Sequence, residues 1–232
     1  MIKNWTKGVC LIGAAAISLS AAATAQALPE WQKEGKALTT ALPFKLKGGS
    51  GSFENAAATT KVSWTSVGGS GLIEGASLIS NLSLIFWGST AKEGAGKSCE
   101  VNSPKAAKLG EVVTRPLKGV LGYLNKAGKQ VGDLFEPVTG EVFAEIEGEC
   151  LKGKKLLVTG SVIGKITSAL NTEVGAVQLS FNVVSKAQEF VEFEKEGKEH
   201  KLAFGEPGEA ALFECHEETA ELELGEKVEL KA

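Results

Sequence analysis

The feature that most constrains this chain is an alternation of apolar and charged residues with a period of two. Glutamates alternate with Leu, Ile, Val or Phe over 142–147, 190–194 and 221–224. An extended strand turns successive side chains to opposite faces, so each segment has one apolar face and one solvated face. Sustained helical periodicity is absent after residue 27. The pattern therefore predicts antiparallel strands whose glutamates face water.

Glycine and proline separate these segments. The chain contains 28 Gly and 6 Pro, and turn signals recur roughly every 8–12 residues, as they do in sandwiches and barrels. We predict an all-β fold, an antiparallel β-sandwich or barrel, in a single domain of residues 28–232. The best helix candidate is a short turn near 29–35. About eleven strands are predicted, at 42–47, 61–67, 70–74, 79–87, 111–114, 119–124, 142–147, 155–166, 176–184, 188–194 together with 200–204, and 211–230 in two pieces.

Residues 1–27 have the three parts of a secretory signal peptide. Lys3 and Lys7 precede an Ala-rich apolar stretch, and Ala25-Gln26-Ala27 forms a small-x-small cleavage site. The apolar run is about 15 residues long, whereas a helix that spans a bilayer needs roughly 20. We expect cleavage after Ala27 and export of residues 28–232 as a secreted, extracellular protein.

The charged residues argue against polyanionic partners. With 25 Lys and Arg against 28 Asp and Glu, the net charge is −3. Arg115 is the only arginine, so the chain cannot build the bidentate clamps that bind phosphates and guanines. Asp133 is the only aspartate, which disfavours a calcium-binding loop. We therefore expect no nucleic-acid partner.

A glycine-rich segment resembles a phosphate-binding loop but has the wrong context. Residues 91–98 (AKEGAGKS) match the relaxed pattern after an apolar segment. Such a loop needs a helix that begins at its lysine, so that backbone N–H groups face the phosphates. Pro104 follows closely and disfavours that helix. We expect a flexible loop here, with no nucleotide and no cofactor.

The catalytic and metal-binding patterns are weak. A Ser-His-Asp triad would have to combine His200 or His216 with Asp133, and the chain has no Gly-x-Ser-x-Gly motif. Cys215 and His216 are adjacent, but neighbours on a strand point to opposite faces, which disfavours a shared metal. We assign no catalytic, cofactor-binding or metal-binding residue.

Three cysteines follow the predicted signal peptide, in a compartment that permits disulfides. We favour a bridge between Cys99 and Cys150, because both lie at the edges of strand-like segments. Cys215 follows an apolar run and is expected to be a free, buried thiol. A Cys150–Cys215 bridge and three reduced thiols remain the alternatives.

Several segments carry a family resemblance. The most specific is 110–123 (GEVVTRPLKGVLGY), followed by 142–150 and 158–164, and the chain closes on VELKA. In this order they resemble a group of uncharacterised secreted proteins that occur in many copies in certain soil actinobacteria. The resemblance implies secretion and a β-rich fold, and it supplies no activity.

The residues favour a binding role over catalysis. We expect a secreted, non-catalytic extracellular or cell-envelope-associated β module, in contact with the envelope or an extracellular polymer. The alternative is an extracellular hydrolase, which would need two glutamates that face one another across a cleft. Trp64 and Trp87 lie within apolar segments, so we expect both in the core rather than on a carbohydrate-binding surface.

Overall fold

The computed structural model describes residues 28–55, 60–184, 187–207, 213–215 and 218–232. It is 61% strand and 2% helical, which confirms the all-β prediction. The predicted signal peptide, its cleavage site after Ala27 and His216 lie outside the described residues. Among the residues described, no helix is long and apolar enough to cross a membrane.

The strands are more numerous than predicted, because the predicted segment 155–166 divides into two strands and several segments outside the predicted ranges are also extended. Within the described ranges, one 3-10 turn (Glu149–Leu151) interrupts them. In chain order the strands are β1 (Glu30–Lys33), β2 (Lys36–Ala37), β3 (Leu42–Gly48), β4 (Gly51–Asn55), β5 (Thr60–Trp64), β6 (Ser66–Glu74), β7 (Leu78–Trp87), β8 (Thr90–Glu93), β9 (Cys99–Glu100), β10 (Glu111–Val113), β11 (Leu117–Asn125), β12 (Gln130–Pro137), β13 (Val142–Ile146), β14 (Leu156–Gly160), β15 (Val162–Ile166), β16 (Glu173–Phe181), β17 (Val183–Val184), β18 (Ala187–Gln188), β19 (Leu202–Gly205), β20 (Phe213–Cys215) and β21 (Glu218–Lys231).

Eight antiparallel strands form a closed barrel. Their order is β16-β15-β12-β11-β7-β6-β3-β21, and β21 closes the ring by pairing with β16. Alternation decides which side chains fill the barrel: Leu46 pairs in register with Leu222 and both are buried, while the neighbouring Lys47 reaches Glu223 on the outer surface. An eight-stranded barrel is just wide enough for its interior to be filled by side chains or to hold one small ligand.

The short sheets are all inserted at one end of the barrel, which we call the mouth. The β3–β6 hairpin continues past Gly48 and Ser66 as the β4–β5 hairpin, and β7 continues past Gly88 into β8. These extensions belong to the sheet β20-β4-β5-β8-β9, and a second sheet, β13-β14-β19, lies beside it. A double hydrogen bond between Asn102 and Glu147 joins them. Together these two sheets form a cap over the mouth.

An aromatic cluster fills the space between the mouth and the cap. Trp64 lies 4.7 Å from Phe53 and 4.7 Å from Phe86, measured between ring centroids, and Phe53 is 6.0 Å from Phe204. The prediction that Trp64 is a core residue is therefore confirmed. The same prediction is wrong for Trp87, which is 38% exposed. Strand alternation places it on the face opposite Phe86.

The prediction from the sequence is wrong for two segments. Residues 29–35 form no helical turn: β1 and β2 make a hairpin with Glu34 and Gly35 at positive φ, and the buried Trp31 pairs with Leu230. Residues 188–194 form no strand beyond Gln188. They belong to an outer segment, residues 189–201, that packs against the barrel wall, where the Phe193 ring covers Gly122 so closely that a Cβ there would lie 2.5 Å away.

A β-bulge in β13 reconciles its sequence with its burial. Phe143 and Ile146 are both buried although their positions differ by three, an odd number. The register between β13 and β14 shifts between Val142 and Ala144, so two residues of β13 oppose one of β14. The bulge is what a strictly alternating strand would need in order to bury both side chains.

Cys99 and Cys150 form a disulfide, as the sequence favoured. Their sulfur atoms are 2.04 Å apart and their Cα atoms 5.7 Å apart. The bridge ties β9 to the 3-10 turn, beside the hydrogen bonds between Asn102 and Glu147. It therefore fixes the junction between the two sheets of the cap.

Candidate functional site

An apolar cavity of ≈ 60 Å³ lies where the barrel mouth meets the cap. Its wall combines the inward-facing barrel residues Leu46, Leu84 and Ala220 with aromatic side chains from both layers. Small residues explain the gap, because Ala220 pairs with Gly48 at the mouth, whereas Leu222 pairs with Leu46 one level deeper. The aromatic residues that line the cavity include Phe53, Trp64, Phe86, Phe135, Phe143 and Phe181.

A polar rim follows the β17–β18 hairpin on one side of this cavity. The Ser180 hydroxyl donates to Asn182 Oδ1 at 2.6 Å, and Asn182 Nδ2 donates to Glu189 Oε2 at 2.9 Å. Asn182, Gln188 and Glu189 all line the cavity. Among the described lining residues, Glu189 is the one ionisable side chain, and none is basic.

Gln188 brings an unused hydrogen-bond donor to the rim. Its Oε1 accepts a hydrogen bond from the Leu202 backbone N–H at 2.8 Å. A backbone N–H can only donate, so this contact fixes which end of the amide is oxygen. The remaining atom, Nε2, is buried and has no hydrogen-bond partner among the residues that the structure describes. A ligand oxygen is the natural partner for such a nitrogen.

Asp133 lies deeper in the barrel. It is 1% exposed, and its Oδ1 sits 2.9 Å from where a Cβ on Gly119 would be. Neither carboxyl oxygen makes a well-formed hydrogen bond within the described chain. Burial raises the pKa of this carboxyl well above its ordinary value, and the Val120 N–H lowers it only in part. Burial therefore favours the neutral form of this acid.

His200 forms a cluster that the sequence did not reveal. It is 1% exposed, with Nδ1 3.1 Å from the Ser161 hydroxyl and Nε2 3.2 Å from the Glu196 carboxylate. The catalytic pairing of His200 with Asp133 that a Ser-His-Asp triad would need does not form, because Asp133 faces the barrel interior. Ser161 is itself only 8% exposed, which leaves little room for a substrate. The cluster holds the outer segment against the barrel.

Replacing His200 by phenylalanine should loosen the outer segment. The variant loses both side-chain contacts and leaves the buried Ser161 hydroxyl unpaired, which costs about 1–3 kcal/mol. Backbone amides of residues 191–200 should therefore exchange hydrogen faster than in the wild-type protein. Glu199→Gln, a change in the same segment at an exposed side chain, serves as the control. Unchanged exchange in the His200 variant would contradict this role.

The other sequence candidates do not gather into a site. Residues 91–98 run from β8 into a turn that leads to β9, with Gly94 at positive φ. Arg115 is engaged in an ion pair with Glu145. Cys215 lies on β20, paired in register with Phe53 of β4. The described part of the chain holds no cluster of three His, Cys, Asp or Glu residues suited to a metal ion.

Comparison with protein-family models, with curated proteins and with solved structures found no match for this chain. The fold and the cavity are therefore the observations from which a function is inferred.

Proposed function

We propose that this protein is secreted and acts as a non-catalytic binding module that holds an apolar ligand at the barrel mouth. The observation that carries the proposal is the aromatic-lined cavity with its polar rim. Ligand sites in proteins are typically concave and apolar, with a few polar groups that fix orientation. The signal-like segment 1–27 and the Cys99–Cys150 bridge support an oxidising, extracellular setting.

Apolar burial supplies the driving force for such a site. Each methylene group moved from water into the cavity contributes roughly 0.8 kcal/mol. The aromatic residues that line the cavity are held in place from both layers, since Trp64 and Phe53 belong to the cap and Phe135 and Phe181 to the barrel. A rigid wall loses little conformational freedom when the ligand arrives.

The alternative, a hydrolase that uses glutamates, has weaker support. Hydrolysis of a glycosidic bond needs two carboxyl groups that face the bond, about 5–9.5 Å apart. Glu189 is the one carboxylate among the described residues that line the cavity. The geometry of the cavity thus favours retention of a ligand over its cleavage.

Filling the cavity should abolish ligand binding without unfolding the protein. In Ala220→Leu the larger side chain enters the empty volume, and such changes commonly add about 0.5–2 kcal/mol of stability. We expect methyl decanoate to bind the wild-type protein, with a change in tryptophan fluorescence and a negative heat-capacity change in calorimetry. The Ala220 variant should show neither signal.

Ala203→Leu is the matched control for this experiment. Ala203 is half-buried on β19, beside the lining residue Leu202 but not itself part of the cavity wall. Its variant should bind as the wild type does. If methyl decanoate, decane, decanoate and decylamine all leave the wild-type signals unchanged, the proposed binding function is wrong.

A further inference from the structure

We infer that the ligand is a narrow, uncharged chain with a hydrogen-bond-accepting oxygen near its buried end, such as an ester or carbonyl compound, and that Gln188 Nε2 recognises this oxygen. The inference rests on the proposed function and specifies its ligand class. Three observations carry it: the size of the cavity, the orientation of the Gln188 amide and the charge of the rim.

The size of the cavity excludes bulky groups. A cavity of about 150 Å³ admits a benzene ring, and the volume here is ≈ 60 Å³. The space therefore suits the end of a linear chain better than an aromatic or fused ring. The remainder of such a chain would leave between the barrel and the cap, past the polar rim.

The Gln188 amide sets the polarity of the ligand. Its oxygen is engaged by the Leu202 N–H, so the amide cannot turn over without breaking that bond. Gln188 lines the cavity, and its buried Nε2 has no hydrogen-bond partner among the described residues. An apolar chain alone would leave this donor unsatisfied, whereas a carbonyl oxygen would accept its hydrogen bond.

The charge of the rim argues against acids. A carboxylate would need compensation for the water that it loses on burial, and none of the described lining residues carries a positive charge. Glu189 would also repel it. A buried ammonium group would lose its hydration in the same way, since Glu189 is exposed at the rim, and it has no lone pair to accept a hydrogen bond from Gln188 Nε2.

Four ligands with ten-carbon chains, methyl decanoate, decane, decanoate and decylamine, test this ligand class by calorimetry and tryptophan fluorescence at neutral pH. We expect methyl decanoate to bind about three- to tenfold more tightly than decane, the gain that one hydrogen bond supplies. Decanoate and decylamine should bind at least as weakly as decane. If the acid or the amine binds more tightly than the ester, or if the ester has no advantage over decane, the inference fails and the binding function stands.

Gln188→Glu tests the residue itself. The new carboxylate can still accept from the Leu202 N–H, but an oxygen replaces the donor nitrogen, so the preference for the ester over decane should disappear. Gln130→Glu, the same change on β12 at the barrel end away from the mouth, should keep the preference for the ester over decane. Gln188→Met, which removes the donor without adding charge, should likewise abolish the preference. An unchanged preference in both Gln188 variants would overturn the assignment.

Discussion

Replacing Cys99 and Cys150 by serine should lower the free energy of unfolding by about 4 kcal/mol. The expectation follows from the 51-residue separation of the two cysteines, because opening a loop of that size returns its closure entropy to the unfolded chain. A loss of this size is a large share of the roughly 5–15 kcal/mol that stabilises a typical domain. It should appear as a lower midpoint of denaturant unfolding.

The comparison needs a background without a third thiol. Cys215→Ala in both proteins prevents thiol exchange and leaves the bridge as the one difference between them. Reduction of the disulfide-containing protein should reproduce the serine variant. Equal unfolding midpoints with and without the bridge would contradict the expected stabilisation.

Replacing Asp133 by asparagine should make stability less dependent on pH. An aspartate ionises near pH 3.9 in an unfolded chain, but burial keeps this one protonated to higher pH in the fold. The folded state therefore holds one more proton above that pH. Stability of the wild type should fall as pH rises, by at most about 1.4 kcal/mol per pH unit, until the folded carboxyl itself ionises.

Urea unfolding at several values between about pH 4 and 7 measures this difference. The advantage of Asp133→Asn over the wild type should grow with pH, since asparagine does not titrate. Glu136→Gln is the control on the same strand: Glu136 is ion-paired with Lys118 at the surface, 3.2 Å apart, and such pairs contribute about 0–1 kcal/mol. Parallel stability curves for the wild type and the Asp133 variant would show that the carboxyl ionises normally.

Asp133 also explains why the sequence did not reveal β12. The strand reads Gln130–Pro137 with Gly132 and Asp133 at its centre, residues that are depleted in strands. Its outer face is buried as well, so no polar alternation marks it. Both properties come from neighbours that are distant in sequence, and local periodicity cannot represent them.

Other features could be predicted because they depend on local chemistry. The glutamate alternation identified the strand at 142–147, since one of its faces meets water. The Cys99–Cys150 pair was favoured from its position beside strand edges and from the expected compartment. By contrast, the short strands β8 and β9 exist because longer neighbours offer them partners, and a run of two to four residues carries no periodicity of its own.

The candidate site depends on closure of the barrel, which no local pattern encodes. That Ala220 is small is visible in the sequence, but the gap beside it arises only when β21 pairs with β3 and the cap covers the mouth. The free nitrogen of Gln188 likewise depends on a backbone contact with Leu202, 14 residues further along the chain. Sequence reasoning therefore yielded the fold class and missed the site.

The two ends of β21 lie at opposite ends of the barrel. The strand begins at the mouth with Glu218 and ends beside Glu30 of β1 at the far end of the barrel. Its 14 residues span roughly 40 Å at about 3.3 Å per residue. A surface tether or a fused partner joined near Glu30 or Lys231 would consequently leave the capped end of the barrel, with its cavity, facing the medium. Immobilised protein should capture its ligand as well as free protein does.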